Sequence, residues 1–462
     1  MTGGRLWSGR FSEPPAPEAH ALGRSLGFDV RLASQDVEAS IAHIRALEDA
    51  GLLEAEEAKE MEAALAEIGH AIGEGRFVFD ERDEDVHSVV ERAVTARLGD
   101  LGAKLHAGRS RNDLVITDLR LWLLSAGRTI QLEIAALVQV LVDRAREHAA
   151  APMPGTTHAR SAQPVTLGHH LLAHAWGLSR DLDRLHEWSI RASTSPLGAG
   201  AIATSTLGLD PDMTAARLGM HRAFANSIDA VSDRDVVQEF LAVAAIAATH
   251  LSRLAADLAR FTDPALGWAE MDEAYSTGSS MMPQKRNPDT AELGRAKASR
   301  VAGGFATLTA VLQGLPLGYH RDLQEDKEPA FDAADTLEAV LPALTGALRT
   351  IRFDAAAMRA ACDEEGLYAT DLAEALVLAG VPFREAHART GDLLKRAAEE
   401  GRALASLSPK EWAAFGVPDG GSMFDPDRSI AARGGSGGPS PDSVRHQADV
   451  LESLLAARPS QP

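Results

Sequence analysis

No proline interrupts the chain between Asp113 and Ala151. Along it Leu119, Leu123, Ala126, Ile130, Ile134, Leu137, Leu141 and Ala145 recur at spacings of three and four. That spacing puts them on one face of a helix, on the order of 55 Å long at 1.5 Å per residue. The pattern returns after Pro164 with Leu167, Leu171, Leu178, Leu182 and Leu185, and again from Asp233 to Phe261 with Val237, Leu241, Ala244, Ala248, Leu251, Ala255 and Leu258. Two more helices are predicted to start at Pro288 and Pro329, since proline suits a first helical turn. The second contains Pro342, which predicts a kink or break. Strand signals are sparse, and Arg76 to Phe79 is the best of them. The pattern predicts an all-α protein with a central bundle of about five long helices. Such helices carry more apolar face than one chain covers, so subunits are expected to associate.

The flanks differ from the middle. Residues 1 to about 108 hold shorter helical segments broken by Gly51, Gly69, Gly73 and Gly75, and the segments shorten again after about 360. Three domains are therefore expected: 1–108, a central bundle over 109–360, and 361–462, in keeping with the length of 462 residues. The run from Gly416 to Pro441, rich in Gly, Pro and Ser, reads as a loop or as disorder.

Charge and cysteine narrow the classes. Against 46 Lys+Arg stand 66 Asp+Glu, a formal net charge of −20. An acidic chain makes neither nucleic acid nor an anionic membrane its main partner, because both need basic patches. Cys362 is the only cysteine, so an internal disulfide and a cysteine-based zinc site are excluded. Met1 to Arg10 has no apolar core of a signal peptide. The longest uninterrupted apolar candidate, Phe240 to Thr249, is too short to span a bilayer. A soluble, cytoplasmic protein is expected.

Four polar segments interrupt the apolar helices. The first, Gly108 to Asp113, precedes the longest helix. Capping by Ser110, Asn112 or Asp113 explains part of it. Two arginines at a helix start, where the dipole favours anions, also make a carboxylate site with Arg111 as a bidentate partner. The second is Pro154-Gly155-Thr156-Thr157-His158, followed by Ala162-Gln163-Pro164; a lone loop histidine there is more often a surface residue than a catalyst. The third, Gly278-Ser279-Ser280-Met281-Met282-Pro283-Gln284-Lys285-Arg286-Asn287-Pro288, is the most informative. Its plain reading is an exposed loop capped by Asn287. Its chemical reading is a hydroxyl base beside a lysine and a helix N-terminus, suited to an anionic intermediate. The fourth, Tyr319 to Glu328, reads as a solvated charge run unless its neighbours give it a role.

The third segment resembles the signature of the fumarase/aspartase superfamily, lyases that release fumarate by β-elimination. Gln284 followed by Lys285, Asn287, Pro288 and Asp289 is similar to the argininosuccinate lyase family within it. So are Leu6 to Phe11, Asp83-Glu84-Asp85-Val86-His87, Ser110 to Asp113, Ser195 to Gly200, Asn226 to Asp235, Asp322 to Glu328, Ala369 to Ala373 and Gly380 to Arg384. The resemblance runs from end to end. It implies an all-α homotetramer with active sites drawn from three subunits, and a carbon–nitrogen lyase splitting argininosuccinate into arginine and fumarate in arginine biosynthesis. No metal or organic cofactor is implied.

The resemblance also assigns roles. Ser279 is the base on a mobile loop, and Lys285 and Asn287 hold the carboxylate where charge develops. His158, with Thr157, pairs with Glu292 and acts as acid or holds a carboxylate. Ser110, Arg111 and Asn112 bind the succinyl part, while Ser25, Asp29, Tyr319, Gln324 and Lys327 surround the arginine part. The family usually has Tyr, Leu, Gln and Arg where this chain has Thr156, Ala159, Arg160 and Ser161, and Asn where it has His320. Two alternatives share the scaffold: a lyase for another N-substituted aspartate, and a structural protein of crystallin type.

Overall fold

The computed structural model describes residues 16–80 and 83–458, so the Leu6 to Phe11 motif lies outside the described residues. After short helices at Pro17–Gly23 and Leu26–Asp29 come three longer ones: α1 (Ala33–Asp49), α2 (Ala55–Gly73) and α3 (Val86–Leu98). A capping box of Glu54 and Glu57 opens α2, and the Asp85 side chain accepts the Ser88 N–H to open α3, each satisfying a backbone donor that the first turn leaves orphaned. Among the described residues five helices reach 24 residues or more: α4 (Arg111–Glu147), α5 (Leu167–Ala192), α6 (Asp235–Phe261), α7 (Asp289–Leu312) and α8 (Lys327–Thr350). The expected bundle is present. All eight residues read from the α4 periodicity, Leu119 through Ala145, are buried.

The chain divides into two compact units, and each long helix contributes to both. The first comprises residues 1–128, 185–242 and 302–334. Here Ile44 and Leu47 of α1, Met61 and Leu65 of α2, Val90 and Val94 of α3, and Leu105 form one apolar cluster. In the long-helix part Trp188 stacks on Phe240 at 5.2 Å and donates its indole N–H to the Val236 carbonyl at 2.8 Å. A Cβ at Gly127 would stand 2.5 Å from the Trp188 ring, so glycine there is what lets α4 lie against the indole.

The second unit comprises residues 129–184, 243–301 and 335–462. Besides the remaining halves of the long helices it holds a hairpin of β1 (Pro152–Thr157) and β2 (Arg160–Thr166), paired from Pro152↔Thr166 to Thr157↔Arg160 with a register shift at Gly155/Thr156. Helices α9 (Ala369–Leu378) and α10 (Phe383–Glu400) follow, and Leu372, Leu393, Leu404 and Trp412 make a small core there.

Four expectations are corrected. The strand read at Arg76 to Phe79 does not form: the segment follows α2 without a pairing partner, Phe77 packing on the first core while Val78 stays exposed. Pro342 does not break α8, because the helix continues past it with Leu341, Leu344, Ala347 and Leu348 all buried on the core face. The glycine-rich run is ordered; it contains a helix, Pro426–Ala431, and a turn whose Gly435 and Gly438 carbonyls accept from Ser443 and Gln447. Counting uninterrupted apolar residues also undervalued α4 and α6. Both hold 18-residue windows of mean hydropathy 1.3, long and apolar enough to cross a membrane by length and composition, with 39% and 50% of those windows buried.

Gly127→Val forces a branched side chain into an indole that its own hydrogen bond holds in place. It is expected to lower stability by about 1–3 kcal/mol in chemical denaturation, and an unchanged midpoint would refute the close-approach argument.

Candidate active site

Seven of the residues singled out from sequence line one cavity of about 380 Å³ in the first unit: Ser25, Asp29, Arg111, Asn112, Tyr319, Gln324 and Lys327. That volume suits a small metabolite. A more open groove of about 640 Å³ beside Ser34, Val37 and Arg217 holds none of the candidates.

Two loops and three helix starts build the cavity. Ser25 donates to Asp29 Oδ2 at 2.6 Å, and Asp29 Oδ1 accepts the Val86 N–H at 3.1 Å. Burial pushes the Asp29 carboxyl above its ordinary range, against the His87 charge and the Ser25 bond. Arg111 opens α4, and its two terminal nitrogens donate to Asp85 Oδ2 at 3.1 Å and Ser88 Oγ at 2.9 Å. The guanidinium therefore arrives pre-oriented by the cap of α3. For Asp85, burial would raise the carboxyl, but the His87 and Arg111 charges and the Ser88 bonds overcome it and hold it below the usual range. Ser110 Oγ accepts the Asn112 N–H at 3.2 Å, and Asn112 donates to the Ala201 carbonyl at 3.3 Å. Of the two arginines expected at this helix start, only Arg111 lines the cavity; Arg109 is buried and donates to Ser40 at 2.8 Å.

Asp113 ties this helix start to the Ser195–Gly200 loop. Its Oδ2 accepts from Gly198 at 3.1 Å and Gly200 at 2.8 Å, and its Oδ1 from Ser110 at 3.0 Å. Burial pushes its pKa up to about 6, although those backbone bonds pull it down.

The opposite wall rests on a buried carboxylate. Asp326 accepts from Arg234 through Nε and from Lys327 Nζ at 2.8 Å, and all three side chains are at most 3% exposed. Burial alone would raise the Asp326 carboxyl; the Lys327 and Arg234 charges hold it low. The fourth polar segment is thus no solvated run. Gly318 N–H donates to Ser232 Oγ at 2.6 Å and Gln324 to the Gly23 carbonyl at 3.4 Å, which brings Tyr319 and Gln324 to the cavity.

Sequence reasoning left five lining residues without roles: the apolar Val115 and the polar Glu84, Asp85, His87 and Arg321. Arg321 donates to Glu84 Oε1 at 2.8 Å. His87 pairs through Nδ1 with Asp36 at 2.6 Å and lies 3.4 Å from Asp118. Burial opposes its charge, yet the Asp36 bond and the neighbouring carboxylates raise its pKa. The sequence signals for the polar four were the Asp83 to His87 motif ahead of a helix and, for Arg321, the fourth polar segment, neither of which assigns a role.

The second unit holds the other candidates. Thr277–Gly278 (β3) and Arg286–Asn287 (β4) pair antiparallel, so the intervening loop carries Ser279 and Lys285. Ser279 Oγ accepts the N–H groups of Met281 at 3.3 Å and Met282 at 3.0 Å. Asn287 donates toward Thr277 Oγ1 at 3.5 Å and the Gly278 carbonyl at 3.4 Å, and Lys285 is exposed. His158 and Ala159 form the two-residue tip of the β1–β2 hairpin with φ of 52° and 58°. A mirror-image turn matches the strand twist and requires both values positive, which side chains with a Cβ adopt at a cost. Thr157 and His158 are exposed there, and Glu292 is exposed in the first turn of α7. Among the described residues of one chain, no hydrogen bond or ion pair joins His158 to Glu292.

A family model described as lyase matches residues 9–303, and the chain belongs to that family. Its place there is with the argininosuccinate lyases, because a model of the argininosuccinate lyase C-terminal region matches residues 366–431. A relative of that name from Frankia casuarinae is 48% identical over 98% of this chain and 98% of its own. One from Acidothermus cellulolyticus is 47% identical over 98% and 94%. EDDS lyase in complex with formate has the same fold at a TM-score of 0.83 and 28% identity, covering 96% of this chain and 91% of that one. The 3-carboxy-cis,cis-muconate lactonizing enzyme from Pseudomonas putida, at 0.74 and 23% over 95% and 98%, shares the fold alone.

Two outcomes test this geometry. Asp326→Ala strands two buried cations and is expected to cost about 3–5 kcal/mol in urea denaturation; a loss under 1 kcal/mol would contradict the shared ion pair. Ala159→Gly relieves one strained turn position and is expected to add about 1 kcal/mol, read as a rise in melting temperature.

Proposed function

We propose that the protein is an argininosuccinate lyase, splitting argininosuccinate reversibly into arginine and fumarate as the last step of arginine biosynthesis. The observation that carries the reading is the Ser279 loop, where a hydroxyl oxygen faces the backbone N–H donors of Met281 and Met282, with Lys285 and Asn287 following on the same short hairpin.

The proton to be removed sits on carbon beside a carboxylate and is only weakly acidic. Its removal makes an aci-carboxylate dianion. Ser279 acts as the base; the Met281 and Met282 donors lower the cost of charge on its oxygen, as fixed dipoles do at a developing anion. Lys285 and Asn287 stabilise the dianion more than the substrate, which is where rate is gained. The carbon–nitrogen bond then breaks, the carbon–carbon double bond of fumarate forms, and the leaving guanidino nitrogen takes a proton. His158, oriented with Glu292, supplies that proton or holds a carboxylate, with Thr157 beside it. In the cavity Arg111 and Asn112, with Ser110 beside them at the helix start, take the succinyl part, and Ser25, Asp29, Tyr319, Gln324 and Lys327 the arginine part. No cofactor enters these steps.

The same reading makes the protein a cytoplasmic homotetramer with domain boundaries near 108 and 360. Leu132, Ile246 and Leu293 on the long helices are exposed in the single chain, the kind of apolar face that association of subunits covers. Sites shared between subunits would draw the cavity residues and the Ser279 loop from different chains.

The decisive assay follows fumarate by ultraviolet absorbance on adding argininosuccinate. Fumarate from another aspartate adduct only would move the assignment to a sibling lyase, and none from any adduct would leave the crystallin-type scaffold. Ser279→Ala is expected to cut kcat by about 10²–10⁴ with the tetramer intact; near-normal turnover would remove Ser279 as base. Tetramers of Ser279→Ala and Arg111→Ala, mixed and reassembled, are expected to regain activity, and failure to do so would count against shared sites.

A further inference from the structure

Helix α5 carries His170 and His174 four residues apart, hence on one face a single turn from each other. Helix α6 presents Asp257 to them within the same compact unit. Asp257 Oδ2 lies 2.9 Å from the Nε2 of His170 and 2.9 Å from the Nε2 of His174, and the three ligand atoms fall within 4.8 Å of one another. The mechanism above uses none of them.

We propose that His170, His174 and Asp257 form a binding site for one divalent transition-metal ion of the zinc type, clamping α5 to α6. Two imidazole nitrogens spaced i, i+4 on a helix with a carboxylate from a second element is a donor set that zinc takes. Zinc bonds of about 2.0–2.2 Å place tetrahedral ligands roughly 3.3 Å apart. Opening the two 2.9 Å contacts by a few tenths of an ångström, a side-chain adjustment, brings each His–Asp257 pair to that spacing. The ring of Phe261, one turn beyond Asp257, packs on His170 at 5.4 Å and is itself backed by Trp268 at 5.6 Å. An apolar shell of this kind limits solvent access to a metal site and lowers the dielectric around it. The mixed nitrogen and oxygen set disfavours magnesium and calcium, which prefer oxygen alone. A bound ion adds stability by mass action without touching the chemistry at the cavity.

The test uses the full-length, untagged protein stripped by chelator dialysis and titrated with Zn²⁺, with Co²⁺ as a spectroscopic probe and Mg²⁺ as control. One Zn²⁺ retained per chain, a rise in melting temperature with Zn²⁺ but not Mg²⁺, and visible Co²⁺ absorption bands are expected. His174→Ala and Asp257→Asn are expected to weaken Zn²⁺ binding by about 100-fold or more, since even partners behind a ligand are worth 10–100-fold. His170→Gln, at the more exposed ligand, is expected to do the same while keeping the helical circular dichroism of the parent. The proposal is overturned if the folded parent retains no Zn²⁺, or if His170→Gln and Asp257→Asn bind it as tightly as the parent.

Discussion

One carboxylate shared between two buried cations holds the cavity wall in place. Asp326 lies 92 residues from Arg234 in sequence and next to Lys327, and its two oxygens take one cation each. Taking three charges out of water is expensive, and the attraction between them offsets the cost only when geometry is good and lone pairs are filled. Arg234 Nη1 also donates to the Asp233 carbonyl at 2.8 Å, while its buried Nη2 has no hydrogen-bond partner among the described residues. The consequence is positional. The first turn of α8 is anchored to the start of α6, so Lys327 and Gln324 meet the cavity at fixed points rather than as flexible surface chains.

A second theme is that residues which start helices also furnish the site. Asp85 caps α3 and holds Arg111; Ser110 caps the α4 start and stands next to Arg111; Asp113 gathers three backbone donors from two segments. Helix N-termini concentrate unsatisfied N–H groups and positive potential, so side chains that satisfy them are already rigid. Here they bring together acid and base in near balance around one cavity, in a chain whose overall charge is −20. The field that binds an anionic substrate is local.

Much of this was legible in the sequence. The period of 3.6 picked out eight α4 residues that are all buried, and seven residues named through the family resemblance line one cavity. What escaped had physical reasons. The β1–β2 hairpin contains Pro152, Pro154 and Pro164, which argue against strand, yet a two-stranded hairpin has only edges, and an edge tolerates a missing N–H. Pro342 signalled a break, but four buried residues on the same helix outweigh one lost hydrogen bond. Glu84, His87 and Arg321 were not assigned because their role comes from packing between segments far apart in sequence, such as Arg321 with Glu84. The placement of His158 relative to Glu292 lies beyond what sequence spacing encodes.

The tip of that hairpin has a consequence for how the chain tolerates drift. Strand pairing and two left-handed backbone positions aim the His158 imidazole; its neighbours' side chains, exposed from Thr156 to Ser161, do not wedge it into place. Replacing those neighbours therefore leaves the aim intact as long as the register survives. Thr156, Ala159, Arg160 and Ser161 flank the histidine without fixing it: the backbone holds the geometry, and the side chains around it are free to change.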